Sequence, residues 1–332
     1  MSTLMRRGTF VRTLAGGAAA AGLSPRWAAS PAEAAAYPDR PITFIVPWGP
    51  GGGSDQMARA LQRPLQQVLG VAVPIQDVPG GTGTVGLEKL VTAPADGYTI
   101  GDVIADTMAR VATGSSAWKI GDLTAVCRLM DVPSFLFVNA QDDRFKTWED
   151  LATYAKAHPN ELKYGMLGVG SVDDMTRHYL ATKGFRFTGV PYAKPSVRYA
   201  SLLGRHVDVL YEQAGDVSQY VIGGQFRPLV IFAEKRLPQL PHVPAGPELG
   251  FKIFLPQIRG IVVAKGTDPA VVSRLSDAFK SAYESADFQR YIKNQFMYPE
   301  SWMDAAQFQG FMAREFQTML GYLNEFNMVH RS

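Results

Sequence analysis

Residues 42–61 read ITFIVPWGPGGGSDQMARAL and combine an apolar run, a glycine-rich loop and a helical pattern. The run Ile42–Pro47 predicts a buried strand, and apolar residues at helical spacing predict a helix over Ser54–Leu69, with Ser54 or Asp55 as its N-cap. Glycines let the backbone approach a ligand closely, and the first N–H groups of a helix have no intrahelical partner. This combination predicts an anion site formed by backbone rather than by catalytic side chains.

The first 36 residues have the pattern of an export signal. Three arginines within residues 6–12 precede a weakly apolar stretch, residues 14–23, which is too short for a stable membrane anchor. An Ala-x-Ala site at residues 32–34 favours cleavage before Ala35. The arginine pair resembles a twin-arginine signal, and the general secretory route fits as well. We therefore expect an exported, soluble mature protein.

Charge and motif content argue against several function classes. Of the 33 Lys and Arg and 30 Asp and Glu residues, four arginines and one glutamate fall within residues 1–36, which leaves 29 of each sign. A formally neutral mature chain gives no evidence for nucleic-acid binding. The single cysteine, Cys127, lies in an apolar run, where we expect it to be buried and inert. The five histidines show no metal-ligand spacing, and neither glycine loop is followed by Lys-Ser or Lys-Thr, so we expect no metal and no cofactor.

Apolar strand-like runs alternate with helical patterns along the chain, which predicts an α/β fold with a mostly parallel sheet. Further strands are predicted at residues 73–78, 98–104, 162–165, 188–191, 207–211 and 227–232, and further helices at residues 85–92, 172–183, 197–203, 216–222, 269–284 and 305–327. Two extended segments, residues 126–139 and 253–264, each contain a proline and predict two crossings between lobes. The resulting division is residues 1–36 as signal peptide, 37–134 and 255–332 as the first lobe, and 135–254 as the second.

A second glycine loop, PGGTGTVG at residues 79–86, contains the spacing Gly-x-Gly-x-x-Gly. It is compatible with a dinucleotide site, a structural turn, or a second anion cradle that faces the first. Its place in the second βα unit of an exported chain favours the cradle. The turn GVGS, residues 168–171, predicts Ser171 as a helix N-cap beside a ligand, because Asp173 stands where a hydrolase elbow needs glycine. Asp173 and Asp174 are expected on the solvated surface.

Eight segments spread over nearly the whole mature chain match one known family in order and spacing. They are YPDRPITFIVPWGPGGGSD, VPGGTGTVG, ADGYTI, GVGS, GVPYAKP, LLGRHVDV, VIGGQFRPLVIFAEKRLPQLPHVPAGPELG and RGIVVAKGTDP. The chain thus resembles the substrate-binding proteins of tripartite tricarboxylate transporters, the Bug group. The resemblance implies a two-lobed type II periplasmic-binding-protein fold with two hinge crossings and an interlobe ligand cleft. It also implies a monomeric periplasmic receptor, not an enzyme, that delivers a small carboxylate to a membrane permease.

The same resemblance implies which residues bind the ligand. The two glycine loops would hold one carboxylate, mainly through backbone N–H groups and water. The implied first-lobe residues are Trp48, Gly49, Pro50, Gly51, Gly53, Ser54, Asp55, Gly80, Gly81, Thr82, Gly83 and Thr84. The second lobe would contribute Gly170, Ser171 and Tyr192. Ligands in this family are di- and tricarboxylates, acidic amino acids and aromatic acids.

Four residues depart from the family pattern, and each has two interpretations. Asp106 and Glu212 follow predicted strands; they line the cleft, or else they cap helices or face water. If they line the cleft, an amine-bearing or neutral-ended ligand is favoured, because an isolated carboxylate repels an anion. Trp48 either covers a flat ligand or closes the lobe floor. Lys194 either pairs with a distal carboxylate or, as we favour, lies on the surface. An exported hydrolase and an orphan binding or signalling protein are the alternative functions.

Overall fold

The computed structural model describes residues 37–298 and 300–329, and the predicted export signal lies outside them. The strands are Thr43–Val46 (β1), Ile75–Asp77 (β2), Thr99–Ile104 (β3), Leu123–Val132 (β4), Ser134–Asn139 (β5), Lys163–Met166 (β6), Thr188–Pro191 (β7), Val209–Gln213 (β8), Phe226–Phe232 (β9) and Gln257–Ala264 (β10). The α-helices are Gly53–Leu69 (α1), Thr84–Val91 (α2), Ala105–Ala112 (α3), Trp148–Ala157 (α4), Val172–Thr182 (α5), Pro195–Leu203 (α6), Ser218–Ile222 (α7), Pro269–Tyr283 (α8), Ala286–Ile292 (α9) and Ala305–Glu325 (α10).

The strands form two five-stranded sheets, with the orders β2-β1-β3-β10-β4 and β7-β6-β8-β5-β9. In each sheet four strands share one direction, whereas β10 or β5 runs against both of its neighbours. The sheets are therefore mostly parallel, as predicted, but each contains one reversed inner strand. We call the first sheet with its helices the first lobe and the second sheet with its helices the second lobe.

The chain passes between the sheets where the two proline-containing segments were predicted. Residues 126–139 form two strands in different sheets, with Pro133 between them, because proline has no N–H to donate to a strand ladder. The chain returns to the first sheet between Phe232 and Gln257. The first sheet thus takes strands from chain segments on both sides of the second sheet, while the lobe boundaries at residues 134/135 and 254/255 stay a prediction.

Burial follows the predicted apolar pattern. In α1 the residues Met57, Leu61 and Leu65 are fully buried in one cluster with Phe44 of β1. Cys127 is also fully buried, and burial raises the pKa of its thiol well above the ordinary value. Among residues 37–298 and 300–329, no helix combines the length and apolar character that a membrane span requires.

Three helices were not predicted from the sequence. Helix α3 begins directly after β3 and has seven of its eight residues buried, among them the polar residues Asp106 and Thr107. Helix α4 begins at a capping box in which Thr147 accepts from the Asp150 N–H at 3.2 Å. That Thr-x-x-acid pattern is a usable sequence signal. Helix α9 is a seven-residue segment capped by Ser285.

Candidate ligand-binding site

A small cavity lies between the lobes. Its lining residues are Trp48, Gly52, Gly53, Ser54, Ile104, Gln257 and Arg259 from the first lobe, and Leu167, Pro195, Arg198, Tyr199, Glu212, Gln213 and Asp216 from the second. Its volume is about 30 Å³, which is room for about one or two water molecules. The structure therefore shows the lobes closed upon each other, and an organic ligand needs more space than this arrangement leaves.

Glycine residues, which have no side chain, let the lobes approach this closely. A Cβ on Gly52 would lie 2.7 Å from Cγ of Pro195, and one on Gly168 would lie 2.8 Å from the Thr82 hydroxyl oxygen. A Cβ on Gly53 would overlap the Arg259 guanidinium and both carboxylate oxygens of the second-lobe residue Asp216. Glycine in the first loop thus serves close approach between lobes as well as exposure of backbone donors.

The first glycine loop presents a helix N-terminus to the cavity. The N-cap of α1 is Gly52, not the predicted Ser54 or Asp55, and the first intrahelical bond runs from the Gln56 N–H to the Gly52 carbonyl at 2.9 Å. The N–H groups of Gly53 and Ser54 precede that bond, so they have no intrahelical acceptor. Both residues line the cavity, so this turn has the geometry that an anion-binding helix N-terminus requires.

Asp55 stabilises the loop and does not line the cavity. Its carboxylate accepts the Gly51 N–H at 2.9 Å and pairs with Arg59 at 2.7 Å. Gly49 is buried beside Pro195, and Pro50 is exposed. The sequence placed all of these residues in one binding loop, but their contacts divide them into supporting and cavity-lining positions.

The second glycine loop lies beside the lobe contact rather than on the cavity wall. Gly80, Gly81, Thr82 and Gly83 all have positive φ, at 145°, 56°, 57° and 86°, a conformation that favours glycine. A Cβ on Gly83 would meet the Thr107 hydroxyl and lie 3.1 Å from the Trp48 ring, and the Thr84 hydroxyl donates to the Gly81 carbonyl at 2.9 Å. In this closed arrangement the loop packs under Trp48 and does not face the first loop across a ligand space.

Ser171 of the GVGS turn is the predicted helix N-cap, and backbone N–H groups at this turn donate to protein carboxylates. Ser171 is the N-cap of α5, and its hydroxyl oxygen accepts the Asp174 N–H at 3.2 Å. The Gly170 N–H donates to Asp174 at 3.0 Å, and the Val172 N–H donates to the first-lobe residue Asp106 at 2.8 Å. Because these donors are already bonded, this turn has little left to offer a ligand while the lobes are closed.

Asp106 joins the two lobes. It is fully buried in the first turn of α3, and besides the α5 N-terminus it accepts a hydrogen bond from the Gln257 side-chain amide. Burial raises the pKa of this carboxyl, and the bonds from Gln257 and Val172 oppose the rise. The helix-capping interpretation described part of this role, but the helix that Asp106 caps belongs to the other lobe.

Two buried arginines, both missed by the sequence analysis, organise the cavity wall. Arg198 of α6 pairs with Asp173 at 3.1 Å and with Glu212 of β8, and each of these side chains is at most 3% exposed. Arg259 of β10 pairs across the lobes with Asp216. The expectation that Asp173 and Asp174 are solvated was wrong, since both residues are 1% exposed.

Carboxyl groups outnumber guanidinium groups in this region. We call the buried residues Asp102, Asp106, Asp173, Glu212, Asp216, Arg198 and Arg259 the interlobe charge cluster. Burial raises the pKa of Asp102 to about 7, opposed by the neighbouring Ser54 hydroxyl and Arg259. Burial raises the pKa of Asp216 to about 6; Arg259 opposes the rise and Glu212 adds to it. Among the described residues, no group of three or more His, Cys, Asp and Glu is arranged to hold a metal ion.

The remaining predicted residues have distinct positions. Trp48 is 6% exposed and lines the cavity, and its indole Nε1 has no hydrogen-bond partner among the described residues. Tyr192 is partly buried, donates its N–H to the Met166 carbonyl at 2.9 Å and does not line the cavity. Lys194 is exposed at the start of α6, which agrees with the favoured surface interpretation.

A sequence model described as Tripartite tricarboxylate transporter family receptor matches residues 57–327. The chain belongs to this family. The receptor is 33% identical over 301 residues to the UPF0065 protein in the gbd 5'region of Cupriavidus necator, covering 90% of this chain and 91% of that protein. It is 31% identical over 305 residues to protein BugT of Bordetella pertussis, covering 90% of this chain and 92% of BugT. Because the family consists of solute-binding receptors, the alternative of an exported hydrolase is wrong.

Solved structures show the same two-lobed fold. The periplasmic binding protein BugD superposes with a TM-score of 0.81 at 22% identity, over 89% of the receptor and 100% of BugD. MatC from Rhodopseudomonas palustris, solved with bound malate, superposes with a TM-score of 0.79 at 24% identity, over 86% of the receptor and 100% of MatC. These likenesses confirm the predicted fold class.

Proposed function

We propose that the receptor captures a small organic carboxylate in the interlobe cleft and presents the closed lobes to a membrane permease of the tripartite tricarboxylate type. The observation that carries this proposal is the N-terminal turn of α1, where Gly53 and Ser54 line the interlobe cavity beside Arg259. Free helix N–H groups and a buried guanidinium together form a strong site for one carboxylate. MatC, of the same fold, is solved with malate in complex.

The cleft works by closure. The cavity between the closed lobes holds about 30 Å³, so a ligand enters an open form, and the lobes then close around it with a larger space between them and exclude water. The export pattern of residues 1–36 supports a periplasmic location, and we propose a monomeric receptor that acts there. N-terminal sequencing of the mature protein tests the cleavage expected before Ala35.

A thermal-shift screen over mono-, di- and tricarboxylates, amino acids and aromatic acids tests ligand capture. A ligand at 100 times its dissociation constant stabilises the folded state by about 2.7 kcal/mol. We expect a concentration-dependent shift with a subset of these acids, and none with sodium chloride at matched ionic strength. If no organic acid shifts the transition, the transport function fails and the alternative of an orphan signalling protein is favoured.

A further inference from the structure

Protein carboxylates lie near both helix N-termini that face the other lobe, but they differ in what they bind. Asp216 of the second lobe lies against the first turn of α1, since a Cβ on Gly53 would overlap both of its carboxylate oxygens. Asp106 of the first lobe accepts the Val172 N–H at the start of α5 at 2.8 Å. The α5 N-terminus is thus bonded to a protein carboxylate, which leaves the α1 N-terminus for a single ligand carboxylate.

The charge balance around the cavity also disfavours a dianion. In the interlobe charge cluster, two carboxyl groups and two guanidinium groups line the cavity, and three further buried carboxyl groups belong to the cluster without lining the cavity. Both guanidinium groups are ion-paired, Arg198 with Asp173 and Glu212, and Arg259 with Asp216. A second ligand carboxylate would add to a buried negative surplus, whereas a cationic nitrogen would offset it.

Unpartnered polar atoms around the cavity comprise both donors and an acceptor. Nε1 of Trp48, Nε of Arg198 and Nε of Arg259 have no hydrogen-bond partner among the described residues, and neither does Oδ1 of Asp216. These four residues line the cavity and are at least nine-tenths buried. Buried polar groups normally have partners, so these atoms indicate a ligand that presents an acceptor and a donor at adjacent positions.

We propose that the receptor selects a ligand with one carboxylate and one cationic nitrogen, an amino acid, over a dicarboxylate of similar length. Glu212 and Asp216 are the specificity-determining residues that accept hydrogen bonds from the nitrogen, while the α1 N-terminus and Arg259 take the carboxylate. This inference rests on the proposed function and narrows its ligand class. The pKa of Asp216 is raised to about 6, which agrees with a buried carboxylate whose negative charge is only partly offset by Arg259 before the ammonium group of the ligand binds.

Calorimetric titration with matched ligand pairs tests the inference. The pairs are 4-aminobutyrate with succinate, 5-aminovalerate with glutarate, and alanine with propionate. We expect the amino member to bind at least about tenfold more tightly in a pair that binds, because hydrogen bonds to charged groups contribute that much. If the dicarboxylate or deaminated member binds as tightly or more tightly in every pair that binds, the inference is overturned and the proposed function stands. If no member binds and the thermal-shift screen over organic acids also shows no shift, both the inference and the proposed function fail.

Two variants assign the selection to residues. Glu212→Gln and Asp216→Asn should reduce the preference within a pair to less than about threefold, because each removes the carboxylate that accepts from the ammonium. Glu284→Gln and Asp143→Asn are matched controls on exposed side chains, 61% and 92% accessible, and should keep the wild-type ratio. The ratio within a pair distinguishes selection from weakened closure, which would affect both members equally. If a variant does not fold, the wild-type ratios decide.

Discussion

Gly53→Ala separates closure of the lobes from folding of the chain. Gly53 is the first residue of α1, and its φ lies outside the left-handed region, so alanine fits the backbone there. Alanine favours the helix over glycine by up to about 1 kcal/mol. In the open form Asp216 no longer holds Arg259, so this guanidinium can move away from the new methyl group, and stability should stay unchanged or rise slightly.

The same methyl group opposes closure. A Cβ at this position overlaps the Arg259 guanidinium and the Asp216 carboxylate, both of which are held in a buried ion pair. Overpacking in a filled interior costs about 1–3 kcal/mol. Since 1.4 kcal/mol is a tenfold change in an equilibrium constant, ligand affinity should fall by about 5- to 150-fold.

Calorimetric titration and thermal melting of the same preparation measure the two effects. Gly321→Ala is the matched control, because Gly321 lies within α10 with no atom within 4 Å of a Cβ at that position. It should raise the melting temperature slightly and leave affinity unchanged. If Gly53→Ala binds ligand as tightly as wild type, the contact between Gly53, Arg259 and Asp216 does not belong to the ligand-bound state, and the reasoning is refuted.

Three further substitutions examine the interlobe charge cluster. Asp102→Asn should raise the free energy of unfolding by about 2–4 kcal/mol at pH 8 and by about 1 kcal/mol near pH 4.5, because the pKa of Asp102 is raised to about 7. Asp106→Ala should weaken ligand binding about tenfold in titration, since it removes a charge-assisted hydrogen bond between the lobes. Arg198→Met should cost about 3–5 kcal/mol in denaturant unfolding, because it leaves buried carboxylates unpaired.

A different result would contradict each of these three predictions. A carboxyl with a raised folded-state pKa destabilises the protein above that pKa and ceases to do so below its ordinary value of 3.8. A gain for Asp102→Asn that grows as pH falls would therefore contradict the assignment. Asp304→Ala, which removes the N-cap of α10, is the control for Asp106→Ala and should cost about 1 kcal/mol of stability without changing affinity. An Arg198→Met variant as stable as wild type would mean that the arginine is not paired as described.

Local sequence patterns were sufficient to predict most of the fold. Strand β1, the first glycine loop and helix α1 follow each other directly in the chain. The spacing of apolar residues predicts the strand and the helix, and the glycines predict the turn between them. Strand β7 begins and ends at the predicted residues. The reversed strand β10 was not predicted, because its direction depends on where a distant segment re-enters the sheet.

The polar part of the site was harder to predict, because its partners lie far apart in the chain. Arg259 is 43 residues from Asp216, and Gln257 is 151 residues from Asp106. Arg259 did carry a usable signal, since an arginine within the apolar strand QIRGIVVA needs a buried partner. Asp173 showed no such signal, because acidic residues in the first turn of a helix are ordinarily solvated and favoured by the helix dipole.

The role of the second glycine loop also depends on the closed arrangement. From sequence alone it was expected to face the first loop across a ligand, but Gly83 packs against Trp48 and Thr82 approaches Gly168 of the other lobe. Glycine permits close approach of the backbone whether the neighbour is a protein side chain or a ligand, so the glycine pattern does not distinguish a packing turn from an anion-binding turn.

Native mass spectrometry tests the central claim most directly. The receptor is equilibrated with a pool of mono-, di- and tricarboxylates, amino acids and aromatic acids, and its mass is measured without denaturation. We predict a one-to-one adduct with the mass of a single small organic acid, weaker in Gly53→Ala and unchanged in Gly321→Ala. If only the bare chain is detected with every compound at millimolar concentration, capture of a small carboxylate between the lobes is contradicted.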